Sequence, residues 1–157
     1  KPLLMKITVL LSSALLSLFL LQSCSKDSDD VGKSKEVLLT QHTWKMEEIT
    51  QVENNIQIYY KRGGSTNTNN FDNDKITFVT GGTGTYSPTP SETFNITWQF
   101  TNTEKTAMNI VISFTPTLIT TLKCSELDLT ENRFFCVTSF TNATGKPVLG
   151  SVYRTPL

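Results

Sequence analysis

The sequence predicts an all-β fold: a small up-and-down antiparallel barrel of about eight strands, preceded by a cleaved export signal and one short helix. Three observations carry that expectation. Residues 24–157 hold 24 threonines and 11 asparagines, and β-branched and aromatic residues recur there in short runs, a strand composition. In Phe94-Asn-Ile-Thr-Trp-Gln-Phe100 apolar and polar residues alternate without a fault, which puts Phe94, Ile96, Trp98 and Phe100 on one face of a half-buried strand. The links between runs are short and made of turn residues, such as Gly81-Gly82-Thr83, Asn102 to Lys105, Thr115-Pro116, Cys124-Ser125 and Glu131-Asn132, each suited to joining antiparallel neighbours.

The candidate strands are 44–52, 56–60, 75–80, 84–87, 93–101, 108–114, 118–123, 126–130, 134–140 and 148–153. Ile76 with Phe78, Ile110 with Ile112 and Phe114, and Leu127 with Leu129 repeat the alternation. A meander of this length exposes two edges unless it closes on itself, which favours a barrel over the two-sheet sandwich that the same alternation allows. Residues 61–70, with Gly63-Gly64 and repeated Thr and Asn, read as a loop at one end. Residues 34–41 suit one or two helical turns, with Ser34 as N-cap and Glu36 in the first turn; so short a helix needs something to cover.

The chain begins Lys1-Pro-Leu-Leu-Met5-Lys6, continues in an apolar run from Ile7 to Leu21 and ends that run on Gln22-Ser23-Cys24. Positive charge, a short apolar stretch and small residues form the order of a secretory signal. The run is shorter than the roughly 20 residues that span a bilayer as a helix. Leu21-Gln22-Ser23-Cys24 resembles the lipobox of bacterial lipoproteins, in which the cysteine receives a diacylglycerol and becomes the first residue after cleavage. The resemblance implies a division into a signal peptide (1–23), a charged tether (24–33) and one barrel domain (34–157), with Cys24 attached to membrane lipid. It also implies a lipid-anchored place in the cell envelope, at the outer membrane. The acidic Lys26-Asp27-Ser28-Asp29-Asp30 resembles the export signal of lipoproteins sent to the cell exterior, or is simply a soluble tether, so the periplasmic face and the cell surface both stay open. Without residues 1–23 the chain has 134 residues, enough for one domain with a core, and two more acidic than basic side chains. That balance gives no electrostatic reason to bind nucleic acid.

The order Leu38-Leu39…Trp44-Lys-Met46, then Ile76-Thr-Phe78 before Gly81-Gly82-Thr83-Gly84-Thr85-Tyr86, then Thr97-Trp98, then Leu122-Lys-Cys-Ser-Glu-Leu127-Asp-Leu129 is similar to the lipocalin-like domain of small bacterial lipoproteins. The position before the first tryptophan, a glycine in that family, is Thr43 here. The resemblance covers most of residues 38–153 and implies an eight-stranded barrel able to enclose an apolar cavity, with no general reaction attached.

The chemistry-bearing residues are sparse. His42 is the single histidine, which leaves one candidate for a Ser-His-Asp triad, beside Trp44 at a strand start. Gly81-Gly-Thr-Gly84 lacks the Lys-Ser/Thr of a phosphate loop and reads as a hairpin turn. Asn70-Phe-Asp72-Asn-Asp74 opens like a calcium loop, but Lys75 replaces the needed glycine and no glutamate closes it. No metal site, cofactor or catalytic constellation is expected. Cys124 and Cys136 are an even pair once Cys24 is acylated; a disulfide, two buried thiols and reactive thiols remain open. A two-residue turn at Glu131-Asn132 would pair Thr130 with Arg133 and Leu127 with Cys136.

Trp44, Phe78, Trp98, Phe100 and Phe114 are the aromatics expected inside the barrel. They either line a pocket for a small apolar ligand, with loops 61–70 and 87–92 setting its selectivity, or simply fill the interior, since eight strands enclose little more than their own side chains. The first alternative makes the domain a non-enzymatic binding module. The second makes it a structural or protein-interaction lipoprotein.

Overall fold

Among the described residues nine strands follow one helix: α1 (Lys35–Thr40), β1 (Thr43–Glu53), β2 (Ile56–Lys61), β3 (Lys75–Val79), β4 (Thr83–Thr89), β5 (Glu92–Phe100), β6 (Met108–Ser113), β7 (Ile119–Thr130), β8 (Arg133–Thr141) and β9 (Pro147–Pro156). The structure is a computed structural model and describes residues 32–157. The expected signal peptide, Cys24 and all but the last two residues of the tether lie outside the described residues.

Every neighbouring pair is antiparallel, and β1 also pairs with β9, so that eight strands close into a barrel with β2 as a ninth strand beside them. β1 makes this possible by changing partner along its length. Its first residues, Thr43 to Lys45, pair with β3, and Glu48 to Glu53 pair with β2. On its other side β9 runs against it throughout, with a bulge between Met46 and Glu48. The bulge adds one residue and keeps Trp44, Met46 and Ile49 all buried, where strict alternation would turn Ile49 outward. At the split, Met46 N donates to Asp74 O at 3.0 Å and Arg62 N to Glu47 O at 2.8 Å. The Arg62 guanidinium donates from Nε and Nη2 to Met46 O at 3.0 and 2.6 Å, so the backbone groups released by the change of partner find new ones. Closure is tight at Gly150, where a Cβ would stand 2.2 Å from Thr50 O.

The β1–β2 hairpin turns on Asn54 and Asn55, with φ of 53° and 64°, the left-handed pair that a two-residue turn requires. Two expectations at β7 need correction. Cys124-Ser125 is not a link between two strands: β7 runs unbroken for 12 residues, with a register shift between Ser125 and Asp128 and Glu126 at φ 52°. Thr130 does pair with Arg133, but the shift takes Leu127 out of register with Cys136, and Leu127 N donates instead to Thr106 O at 2.8 Å. The physical reason is spacing. Cys124, Leu127 and Leu129 are all buried, and positions 124 and 127 can share a face only if one extra residue bulges out between them.

The two ends of the barrel differ. At the end where β1 begins, Trp44, Phe78, Trp98 and Phe134 pack ring against ring, with Phe78 stacked on Phe134 at 5.8 Å and edge-on to Trp98 at 5.9 Å. α1 caps this end. Ser34 Oγ accepts from Val37 N at 3.3 Å, Leu39 is fully buried, and Trp44 Nε1 donates to Leu39 O at 2.9 Å. The far end carries the β1–β2 and β8–β9 turns, the 62–74 segment and the 114–118 turn.

Because one end is packed and the other is not, equal truncations should cost unequal amounts. Phe78→Ala is expected to lose about 3–5 kcal/mol, and Phe114→Ala at the far end less than half of that. Urea midpoints at unchanged m-value measure the difference.

Candidate functional site

Between the packed end and the far rim the barrel encloses a cavity of about 410 Å³. Its walls include inward residues of β3 and of the four neighbouring strands β6 to β9: Ile76 from β3, Ile110 and Ile112 from β6, Leu122 and Cys124 from β7, Phe134 and Cys136 from β8, and Val152 from β9. Phe71, Phe114, Leu118, Phe140 and Asn142 form the rim. The volume lies within the usual range for small-molecule sites, roughly 300–1,000 Å³, and exceeds what a filled eight-stranded barrel leaves.

Of the five aromatics expected inside, Phe114 lines this cavity and meets Phe94 edge-on at 4.9 Å. Trp44, Phe78 and Trp98 are buried in the packed end instead. Trp98 Nε1 is shared between Val79 O at 3.2 Å and Thr83 O at 2.9 Å. Phe100 stacks edge-on to Trp98 at 5.7 Å, under the Lys105 ammonium. The barrel therefore does both things the sequence allowed: its larger aromatics fill one half, and aliphatic residues with smaller rings wall the other. Neither loop 61–70 nor turn 87–92 lines the cavity; Phe71, just past the first, does.

Three polar residues meet at the inner end of the cavity, a grouping not read from the sequence, where Asp74 entered only in a calcium-loop pattern and Tyr86 only in a hairpin motif. Asp74, just before β3, turns its carboxylate inward, and Arg154 Nη2 from β9 stands 2.6 Å from its Oδ1, off the axis of an aligned hydrogen bond. Tyr86 from β4 donates its hydroxyl to Asp74 Oδ2 at 2.7 Å, and Arg154 Nη1 donates to Trp44 O at 3.3 Å. The ion pair is almost fully buried, its side chains 0% and 8% exposed. Burial is the first cause that pushes the Tyr86 pKa up, and the adjacent Asp74 charge is the second. A sequence signal for the pair exists. Asp74, Ile76 and Phe78 share one strand face, and Val148, Gly150, Val152 and Arg154 share another, so opposite charges stand on two inward registers.

Cys124 and Cys136 are free, buried thiols that both line the cavity. Cys124 pairs in register with Thr138, placing Cys136 diagonally across the two strands. A hydrogen bond with the Cys124 thiol, and then burial, push the Cys136 pKa up, the reverse of an activated nucleophile. Thr138 is 1% exposed, and among the described residues its Oγ1 has no hydrogen-bond partner. His42 lies edge-on to Trp44 at 5.7 Å, outside the cavity lining. The oxygens of the 70–74 stretch diverge. Asn70 Oδ1 accepts from Asp72 N at 2.8 Å, Asp72 Oδ1 accepts from the Tyr60 hydroxyl at 2.6 Å, and Asp74 faces Arg154.

Burial first, and then the Asp72 hydrogen bond, push the Tyr60 pKa up to about 12. Tyr60 and Tyr86 thus keep their protons in the folded state where the unfolded chain, ionising near about 10, has released them. The stability this contributes is complete below about pH 10 and is lost as pH rises through the folded value. The thermal midpoint should fall above pH 10, and fall less steeply in Tyr60→Phe and Tyr86→Phe. Calorimetry across pH 8–12 checks the slope.

No protein-family model matches this chain, and neither does any curated protein or solved structure; its function is read from the cavity itself.

Proposed function

We propose that the chain is a lipid-anchored, lipocalin-like binding module of the cell envelope, and that its barrel holds a small apolar molecule without transforming it. The cavity carries this reading. A domain of this size ordinarily fills its interior to the density of an organic crystal, and leaving about 410 Å³ open under a largely apolar lining gives up packing energy that a bound molecule would restore. The anchor reading rests on the order Ile7 to Leu21, Gln22, Ser23, Cys24. Acyl chains on Cys24, each buried CH₂ contributing about 0.8 kcal/mol, hold a protein on a bilayer without a membrane-spanning segment.

The alternative of a purely structural lipoprotein needs a filled barrel, and the cavity disfavours it. Among the described residues nothing around the cavity pairs a nucleophile with a base: the hydrogen bond with Cys124, and then burial, hold the Cys136 thiol protonated, and the Asp74 carboxylate is paired with Arg154.

Titration with N-phenyl-1-naphthylamine, a neutral fluorophore, is expected to give saturable, blue-shifted emission. Ile112→Trp, which fills the cavity from its wall, should weaken that binding at least about tenfold; equal binding by the variant would place the fluorophore elsewhere and sink the reading. Separately, Cys24→Ala should abolish palmitate labelling of the chain in its bacterial host and shift it from the membrane to the soluble fraction. Labelling that persists in the variant would remove the anchor.

A further inference from the structure

We propose that the cavity selects an uncharged amphiphile, an apolar body ending in one hydroxyl or carbonyl group, and discriminates against the carboxylate of equal length. This rests on the reading of the cavity as a ligand site and specifies what enters it.

Two ionised side chains reach the cavity, and they cancel. Arg154 Nη2 is 2.6 Å from Asp74 Oδ1, the other carboxylate oxygen is taken by the Tyr86 hydroxyl, and Arg154 Nη1 is given to Trp44 O. A carboxylate entering here would lose its water and find a cation already neutralised at contact distance. A charge buried without a counter-charge is strongly disfavoured. An ammonium meets the same difficulty, because the acidic partner is equally committed.

A neutral head group meets different chemistry. Thr138 Oγ1 is buried in the cavity wall and has no partner among the described residues. A hydroxyl both donates and accepts, so a rotation about χ1 that turns Oγ1 toward the cavity lets it give a hydrogen bond to a carbonyl or exchange one with an alcohol. A buried polar atom left unpaired is disfavoured until something meets it. The surrounding wall, with Cys124, Cys136, Ile110 and Val152, offers apolar contact to everything else in the molecule. The site is therefore largely apolar and electrically balanced, and its neutral Thr138 hydroxyl is unpartnered among the described residues.

The test displaces N-phenyl-1-naphthylamine from the full chain at pH 7.5 with octan-1-ol, octan-2-one and octanoate. The alcohol and the ketone should bind at least about tenfold more tightly than octanoate, the ratio set by one good hydrogen bond against one unpaired charge. Thr138→Val, which keeps shape and removes the hydroxyl, should weaken octan-1-ol by about two- to tenfold, read against the fluorophore affinity measured for the same variant. Asp74→Asn, which releases the Arg154 charge, should reverse the order in favour of octanoate. Octanoate equal to octan-1-ol in the native chain, or a Thr138→Val variant with an unaltered alcohol affinity, overturns the selectivity while the cavity reading stands. A fluorophore that does not bind at all overturns both. Should Asp74→Asn fail to fold, Thr138→Val still decides, since it leaves the ion pair intact.

Discussion

The ion pair between Asp74 and Arg154 sits where the barrel is hardest to build. β1 must serve β3, β2 and β9, and Met46 marks the change of partner: it pairs with Arg154 across one side and takes the Asp74 carbonyl on the other. Asp74 and Arg154 reach toward each other inside, across the strand that separates them. Their contact ties the start of β3 to β9 at the residue where the ladder between β1 and β3 stops. Buried ion pairs add little net stability because desolvation offsets their attraction, yet removing one member leaves an uncompensated charge. Such a pair penalises any register that separates its members, and here that register is the closure itself. The Arg62 guanidinium, held by Met46 O, Asp72 O and Glu47, secures the outer side of the same point.

Strand alternation made most of the barrel legible, because each inward run buries its apolar face and a one-residue slip would expose all of it. β5 is the clearest instance. Where the alternation faltered, so did the reading. Leu122, Cys124, Leu127 and Leu129 break the period by one residue, and that break looks like a turn in sequence; in three dimensions it is a bulge that keeps all four on the interior side. β1 uses the same device at Glu47. It was not misread there, because no turn residue stands at the break.

The cavity was less legible than the barrel for a different reason. Alternation identifies which residues face inward but not at what height they sit, and height separates filling from lining. Trp44, Phe78 and Trp98 face inward at the end that α1 covers, whereas Phe114 faces inward at the other. The register around the barrel passes through eight ladders, and three of them carry a register shift that changes height by an amount the sequence does not carry. Charge on an inward register is the exception that survives this uncertainty. Asp74 and Arg154 fall in phase with Phe78 and Val152, and two opposite charges directed into an apolar barrel have only one another to pair with.

The division of the interior into a packed half and an open half follows from where the large rings are spent. Four of the largest side chains, Trp44, Phe78, Trp98 and Phe134, gather under Leu39, and their mutual edge-on and stacked contacts give that end a rigid aromatic floor. The strands continue past this floor with Ile110, Ile112, Cys124, Cys136, Thr138 and Val152 facing inward, side chains too short to meet across the barrel. A barrel of fixed strand number has a nearly fixed diameter, so shortening the inward side chains at one height opens space there without loosening the wall. Stability thus comes from one end, and the other is free to be shaped by what it holds. The polar residues lie between the two, Asp74 and Arg154 already matched and the Thr138 hydroxyl waiting for a partner.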